Sequence, residues 1–150
     1  MLPAVARGIF RKICGARFAG SCYKTGMSTI LVPIDFSEET PEVIQCATML
    51  ARRNRSQLVL LCVSPGNQET TDDATDKLER LERYLREEGL QVSVAVRDGE
   101  PAQEIVAFGK SIQADCIIIG RHDHAGAGDA PSPVTTYVQQ EAPCTVVAVP

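Results

Sequence analysis

At 150 residues with 44% apolar content, the chain is the size of one domain with a core of its own. No apolar run approaches the roughly 20 residues that a membrane-spanning helix needs. The formal charge of −4 is unevenly spread: residues 1–26 carry five Lys/Arg and no acid, whereas residues 27–150 carry ten Lys/Arg against nineteen Asp/Glu, a charge of −9. An acidic body argues against nucleic acid as a partner.

In chain order, residues 1–26 read as a basic, disordered extension, and residues 27–150 as the single domain. Two origins stay open for the extension: an Arg-rich targeting segment, or a start placed too early, with Met27 as the natural one. The second is preferred because Met27 stands directly before the first strand. That strand is Ile30-Leu31-Val32, ended by Pro33-Ile34-Asp35-Phe36-Ser37. Ser37 is expected to cap a helix with Glu38, Glu39 and Glu42 at its positive end and Arg52, Arg53 and Arg55 at its negative end. Leu58–Val63 is a second buried strand. A helix over 72–88 turns Leu78, Leu81 and Leu85 inward, and the i,i+4 pairs Asp76–Arg80, Glu79–Arg83 and Glu82–Arg86 outward. Gly89 ends it.

Val92, Val94 and Val96 alternate with smaller or polar residues, which marks an edge strand. Gly99-Glu100-Pro101 opens a helix with Ile105, Val106, Phe108 and Ile112 on its apolar side. Asp115-Cys116-Ile117-Ile118-Ile119-Gly120 is too short an apolar run for a buried helix and reads as a strand covered on both faces. After a loop, Ser132 and Pro133 start a helix over 132–141 as N-cap and first helical residue. Thr145–Val149 is the last strand. Five strands alternating with four helices predict an α/β fold: a parallel, doubly wound, Rossmann-like sheet with helices on both faces.

Cys46, Cys62, Cys116 and Cys144 fall in or beside apolar runs, where free cysteine acts as a small hydrophobe. Cys14 and Cys22 lack metal-ligand spacing, and there is no CxxC. A reduced, cytoplasmic protein is the expectation. His122-Asp123-His124 has metal-ligand chemistry, but within one short loop, and a solvated loop is the preferred reading.

From Met27 to Pro150 the chain resembles the universal stress protein family. The resemblance is carried by Ile30–Ser37, Leu58–Val63, Gly99-Glu100-Pro101-Ala102-Gln103-Glu104-Ile105, Ala114–Gly120 and Ala142–Val149, in order and at family spacing. It implies an adenine nucleotide α-hydrolase-like sheet of order 3-2-1-4-5, with ATP bound at the carboxyl ends of the strands in some members and not in others. Carried over to this chain, Pro33, Asp35 and Val63 match the adenine and ribose end. Gly120 begins the phosphate loop of pattern G-x2-G-x9-G-[ST], with Arg121, His122, Ser132, Val134 and Thr135 as the remaining site residues.

Beyond Gly120 the pattern breaks. Asp123 stands where the second Gly belongs, the loop is one residue short when Val134-Thr135 is aligned, and Ser132-Pro133 replaces the final Gly-[ST]. A carboxylate about 5 Å from a phosphate charge costs roughly 3 kcal/mol at an effective dielectric of about 20, and Pro133 brings no N–H. Arg121 and His122 are the residues available to offset this.

Three function classes follow. The first, preferred, is a dimeric stress-response module with a degenerate ATP site, no required cofactor and at most weak ATP binding, acting on an unknown protein partner and not as an enzyme. The second is an ATP- or other adenine-nucleotide-binding module with slow hydrolysis. The third, an enzyme on a related fold, has no support: there is no HxGH pair after the first strand and no Ser-Gly-Gly loop. The homodimer is expected to form through Thr145–Val149, an uncharged edge strand, and no membrane partner is expected.

Overall fold

The computed structural model describes residues 27–64, 66, 68–121 and 130–150. The expectation for residues 1–26, the cysteines at 14 and 22, and the loop residues His122, Asp123 and His124 lie outside that set. Strand β1 (Thr29–Pro33) pairs in parallel with β2 (Gln57–Ser64) on one side and with β4 (Cys116–Gly120) on the other. Strand β3 (Val92–Asp98) extends the sheet beyond β2, and β5 (Thr145–Val149) beyond β4. The order is therefore β3-β2-β1-β4-β5, the five-stranded parallel arrangement expected.

Helices α1 (Thr40–Asn54) and α2 (Gln68–Glu87) pack on one face. Helices α3 (Pro101–Ser111) and α4 (Pro133–Glu141) cover the other. The central strands read as unbroken apolar runs because each face has its own core. Ile30, Val32, Leu58, Leu60 and Ile118 meet Val43, Ala47 and Leu78 on the first face. Leu31, Val59, Leu61, Ile117 and Ile119 meet Ile105, Phe108 and Val138 on the second. No described helix is long and apolar enough to cross a membrane.

Three local expectations are corrected. Ser37 does not cap α1: the Asp35 side chain takes the Ser37 N–H at 3.0 Å, Phe36 turns through φ 57°, and Thr40 N–H donates to Ser37 O. The helix therefore starts two residues later, with Glu39 as its N-cap and Pro41 in its first turn. Helix α2 begins at Gln68 rather than 72. Its polar start carries no apolar period to read, and a hydrogen bond between Ser64 Oγ and Thr71 Oγ1 fastens it to β2.

The third correction concerns Glu82, expected outside and found 1% exposed. Ala74, Leu78, Glu82 and Leu85 form the buried stripe of α2, with Glu82 at a position the helical period assigns to the core. Its charge is met by Arg86 Nη2 at 2.9 Å. Arg86 also donates from Nε and Nη2 to the Val92 carbonyl, at 2.9 and 2.6 Å. The pair thus joins α2 to the start of β3 instead of decorating a solvated face.

Candidate functional site

β1 is flanked by β2 and β4, and the chain leaves their carboxyl ends in opposite directions, from β1 to α1 on one face and from β4 to α4 on the other. Such a switch point opens a crevice beyond the strand ends, where ligands of open α/β sheets bind. Here it holds a cavity of about 200 Å³. Pro33, Asp35, Val63, Gly120, Ser132, Val134 and Thr135 all line it. Seven residues chosen from four separated stretches of sequence are thereby brought together.

Arg121 is not in that lining. Its backbone is fixed, its N–H donating to Val149 O and its carbonyl accepting from Ser132 N–H, both at 2.8 Å, and it has further contacts as well. His122 lies outside the described residues.

Asp35 is exposed at the mouth, one carboxylate oxygen spent on the Ser37 N–H. At the other wall the start of α4 is closed by its own side chains. Ser132 Oγ accepts from Thr135 N–H at 3.1 Å and donates to Thr135 Oγ1 at 3.0 Å. Thr135 Oγ1 in turn donates to Gly120 O at 2.8 Å. This relay ties the helix to the end of β4 and uses both hydroxyl protons. Pro133 has no N–H to give, which leaves the Val134 N–H as the remaining first-turn donor.

Among the lining residues not named as site residues from the sequence, Glu39 is the charged one. Glu39 enters the cavity from the N-cap of α1, and a Cβ placed on Gly120 would lie 2.5 Å from Glu39 Oε2. A side chain at position 120 would thus press on the end of the Glu39 side chain, which would have to swing aside. No periodicity links residue 39 to residue 120; only the sheet order does. The rest of the lining is supplied by the polar Ser37 and Thr40 and by the apolar Ile34, Val43, Leu61, Pro101, Ile105 and Ile119.

The nearby thiols are poor nucleophiles. Burial pushes the Cys62 thiol up, Asp35 adds to the rise and Lys77 opposes it. Burial likewise raises Cys116 and Cys144. The four described cysteines are free. Among the described residues there is no group of three or more His, Cys, Asp or Glu able to hold a metal ion.

The model of the Universal stress protein family matches residues 27–150. The chain belongs to the universal stress protein family. Its similarity extends to the universal stress protein Sll1388 of Synechocystis sp., 26% identical over 151 residues, covering 83% of this chain and 98% of that protein. Among solved structures, the protein MJ0577 superposes with a TM-score of 0.75 at 24% identity, over 81% of this chain and 94% of its own. The universal stress protein of Archaeoglobus fulgidus in complex with dAMP gives 0.69 at 23% identity, over 82% and 98%. At these identities the two structures establish the fold, a Rossmann-like one common to universal stress proteins.

Proposed function

We propose that this universal stress protein is a dimeric, cytoplasmic regulatory module whose cavity takes the base and ribose end of an adenine ligand without holding ATP tightly. It acts through a protein partner and not as an enzyme. The observation that carries this reading is the start of α4. A helix N-terminus binds phosphate through free N–H groups. Here one is absent at Pro133 and another, on Thr135, is spent on Ser132 Oγ. The free cysteines agree with a reducing compartment.

A second reading, an adenine-nucleotide binder with slow hydrolysis, is favoured by one observation: Asp35, Val63 and Gly120 line one cavity. The dAMP bound to the Archaeoglobus fulgidus relative gives it added weight.

The dimer is proposed to form through β5. This strand lies at the sheet edge, and Val146, Val147, Ala148 and Val149 are each only half-buried within one chain. It carries no charge, Lys or internal Pro to block pairing, and two copies related by a two-fold axis can pair antiparallel.

Calorimetric titration of magnesium ATP into the full chain separates the two readings. The expected dissociation constant is weaker than about 100 μM, a free energy no better than about −5.5 kcal/mol. Low-micromolar binding establishes the second reading instead.

A further inference from the structure

We infer that Lys77, which lies outside the cavity, is a positioning residue: from α2 it clamps the turn at Phe36 and so holds Asp35 and Ser37 at the cavity mouth. The binding part of this inference rests on the adenine-ligand reading above and adds the residue that pre-forms that site. Asp35 and Ser37 both line the cavity, whereas Phe36 between them and Lys77 do not. Phe36 holds φ at 57°. An aromatic residue rarely adopts this left-handed conformation, which persists only where the surroundings impose it.

Two contacts hold the turn. Within it, the Asp35 side chain accepts from the Ser37 N–H at 3.0 Å. Across it, the Lys77 ammonium stands 5.5 Å from the centre of the Phe36 ring, inside the range of a cation–π contact. Phe36 also packs against the core of the first face. Lys77 comes from a fixed element, because the Ser64–Thr71 hydrogen bond of 2.8 Å pins the start of α2 to the end of β2. The Cys62 thiol senses both charges: burial raises it, Asp35 adds to the rise and Lys77 opposes it. Carboxylate and ammonium therefore gather at the same end of the sheet.

A cation over an exposed ring shifts an equilibrium by a factor of about two to five. The strain of a left-handed aromatic residue is of that order or larger, so without the clamp the turn relaxes in the free protein. A ligand that needs Asp35 in place must then restore the turn, and its affinity falls by about the same factor. By linkage, a bound ligand tightens the clamp in return. Direct contact of Lys77 with the ligand would act differently, favouring a phosphorylated form over the uncharged nucleoside.

The test is calorimetric titration of adenosine and AMP into the full chain and its variants, with NMR of the Lys77 side chain and of Ser37 amide exchange. Circular dichroism checks that each variant is folded. Lys77→Met should weaken both ligands equally, about two- to fivefold, and speed exchange of the Ser37 amide. Lys77→Arg keeps a cation over the ring and should restore both. Asp73→Asn removes only the half-exposed ion pair that Lys77 makes along its own helix at 2.8 Å, and should leave affinity within about twofold. In the wild type the Phe36 ring should shift the Lys77 Hε signals upfield. In Phe36→Leu that shift should be lost, and adding Lys77→Met should change affinity no further. Unchanged affinity or unchanged Ser37 exchange in Lys77→Met overturns the inference. So does a loss confined to AMP, which would make Lys77 a phosphate contact. If neither ligand binds the wild type, the adenine-ligand reading itself has failed, and Ser37 exchange still decides whether Lys77 holds the turn.

Discussion

Arg86→Ala is expected to lower the unfolding free energy by about 3–5 kcal/mol, the usual cost of removing one member of a buried ion pair. Glu82 is 1% exposed and loses the guanidinium at 2.9 Å, and the Val92 carbonyl loses both donors that hold α2 to β3. For a domain of this size the melting temperature should fall by roughly 10–20 °C. Chemical denaturation measures the loss directly. Replacing both members, Glu82→Leu with Arg86→Met, should recover much of it, since a buried pair gains little over an apolar one of similar volume. A loss below about 1 kcal/mol for Arg86→Ala, the value of an exposed pair, would mean that the pair is solvated after all.

The second large effect is expected at the dimer edge. Val149 accepts from Arg121 N–H, so its backbone groups point toward β4, and by the alternation of a strand those of Val147 do too. Val146 and Ala148 then present their N–H and C=O outward. Ala148→Pro removes an outward donor and spares the ladder with β4, whereas Pro at 147 would damage the fold itself. Two-fold symmetry removes the bond twice and strands its acceptors. The dimer dissociation constant should therefore rise roughly a hundredfold or more. Sedimentation equilibrium should show wild-type dimer and variant monomer at the same micromolar concentration, with unchanged circular dichroism. An unaffected dimer would place the interface elsewhere.

The fold was legible because its strands announce themselves. Leu58–Val63 and Cys116–Gly120 are apolar at successive positions, which only a sheet covered on both faces requires, and their alternation with helices implies parallel crossovers. The edge position of β3 could be read from its alternating valines. What stayed hidden was tertiary. Glu82 looked like one more i,i+4 partner of Arg86 because charge spacing alone does not say which side of a helix is covered. Ser37 looked like a cap because the Asp35 side chain that claims its N–H acts across a left-handed turn at Phe36, and local preference does not foretell such a turn.

The candidate site divides in the same way. Asp35, Val63, Gly120 and the Ser132–Thr135 segment could be named through the family resemblance, and the sheet order brings them to one cavity. That Ser132 and Thr135 spend their protons on each other and on Gly120 is a matter of distances. That Glu39 fills the space a Cβ on Gly120 would need follows only once β1 and β4 are neighbours.

That the start of α4 lacks the donors a phosphate needs is tested most directly by Pro133→Ser. Serine at the first helical position returns one N–H to the helix start, between the cavity-lining Ser132 and Val134, and leaves the Ser132 cap in place. A hydrogen bond to a charged group is worth about 1.5–3 kcal/mol, so magnesium ATP should bind the variant at least about tenfold tighter than the wild type, measured by calorimetry on both full chains. Equal affinity in the two proteins would show that the missing N–H does not limit phosphate binding, and a wild type that already binds at low micromolar concentration would show that the helix start holds phosphate as it is.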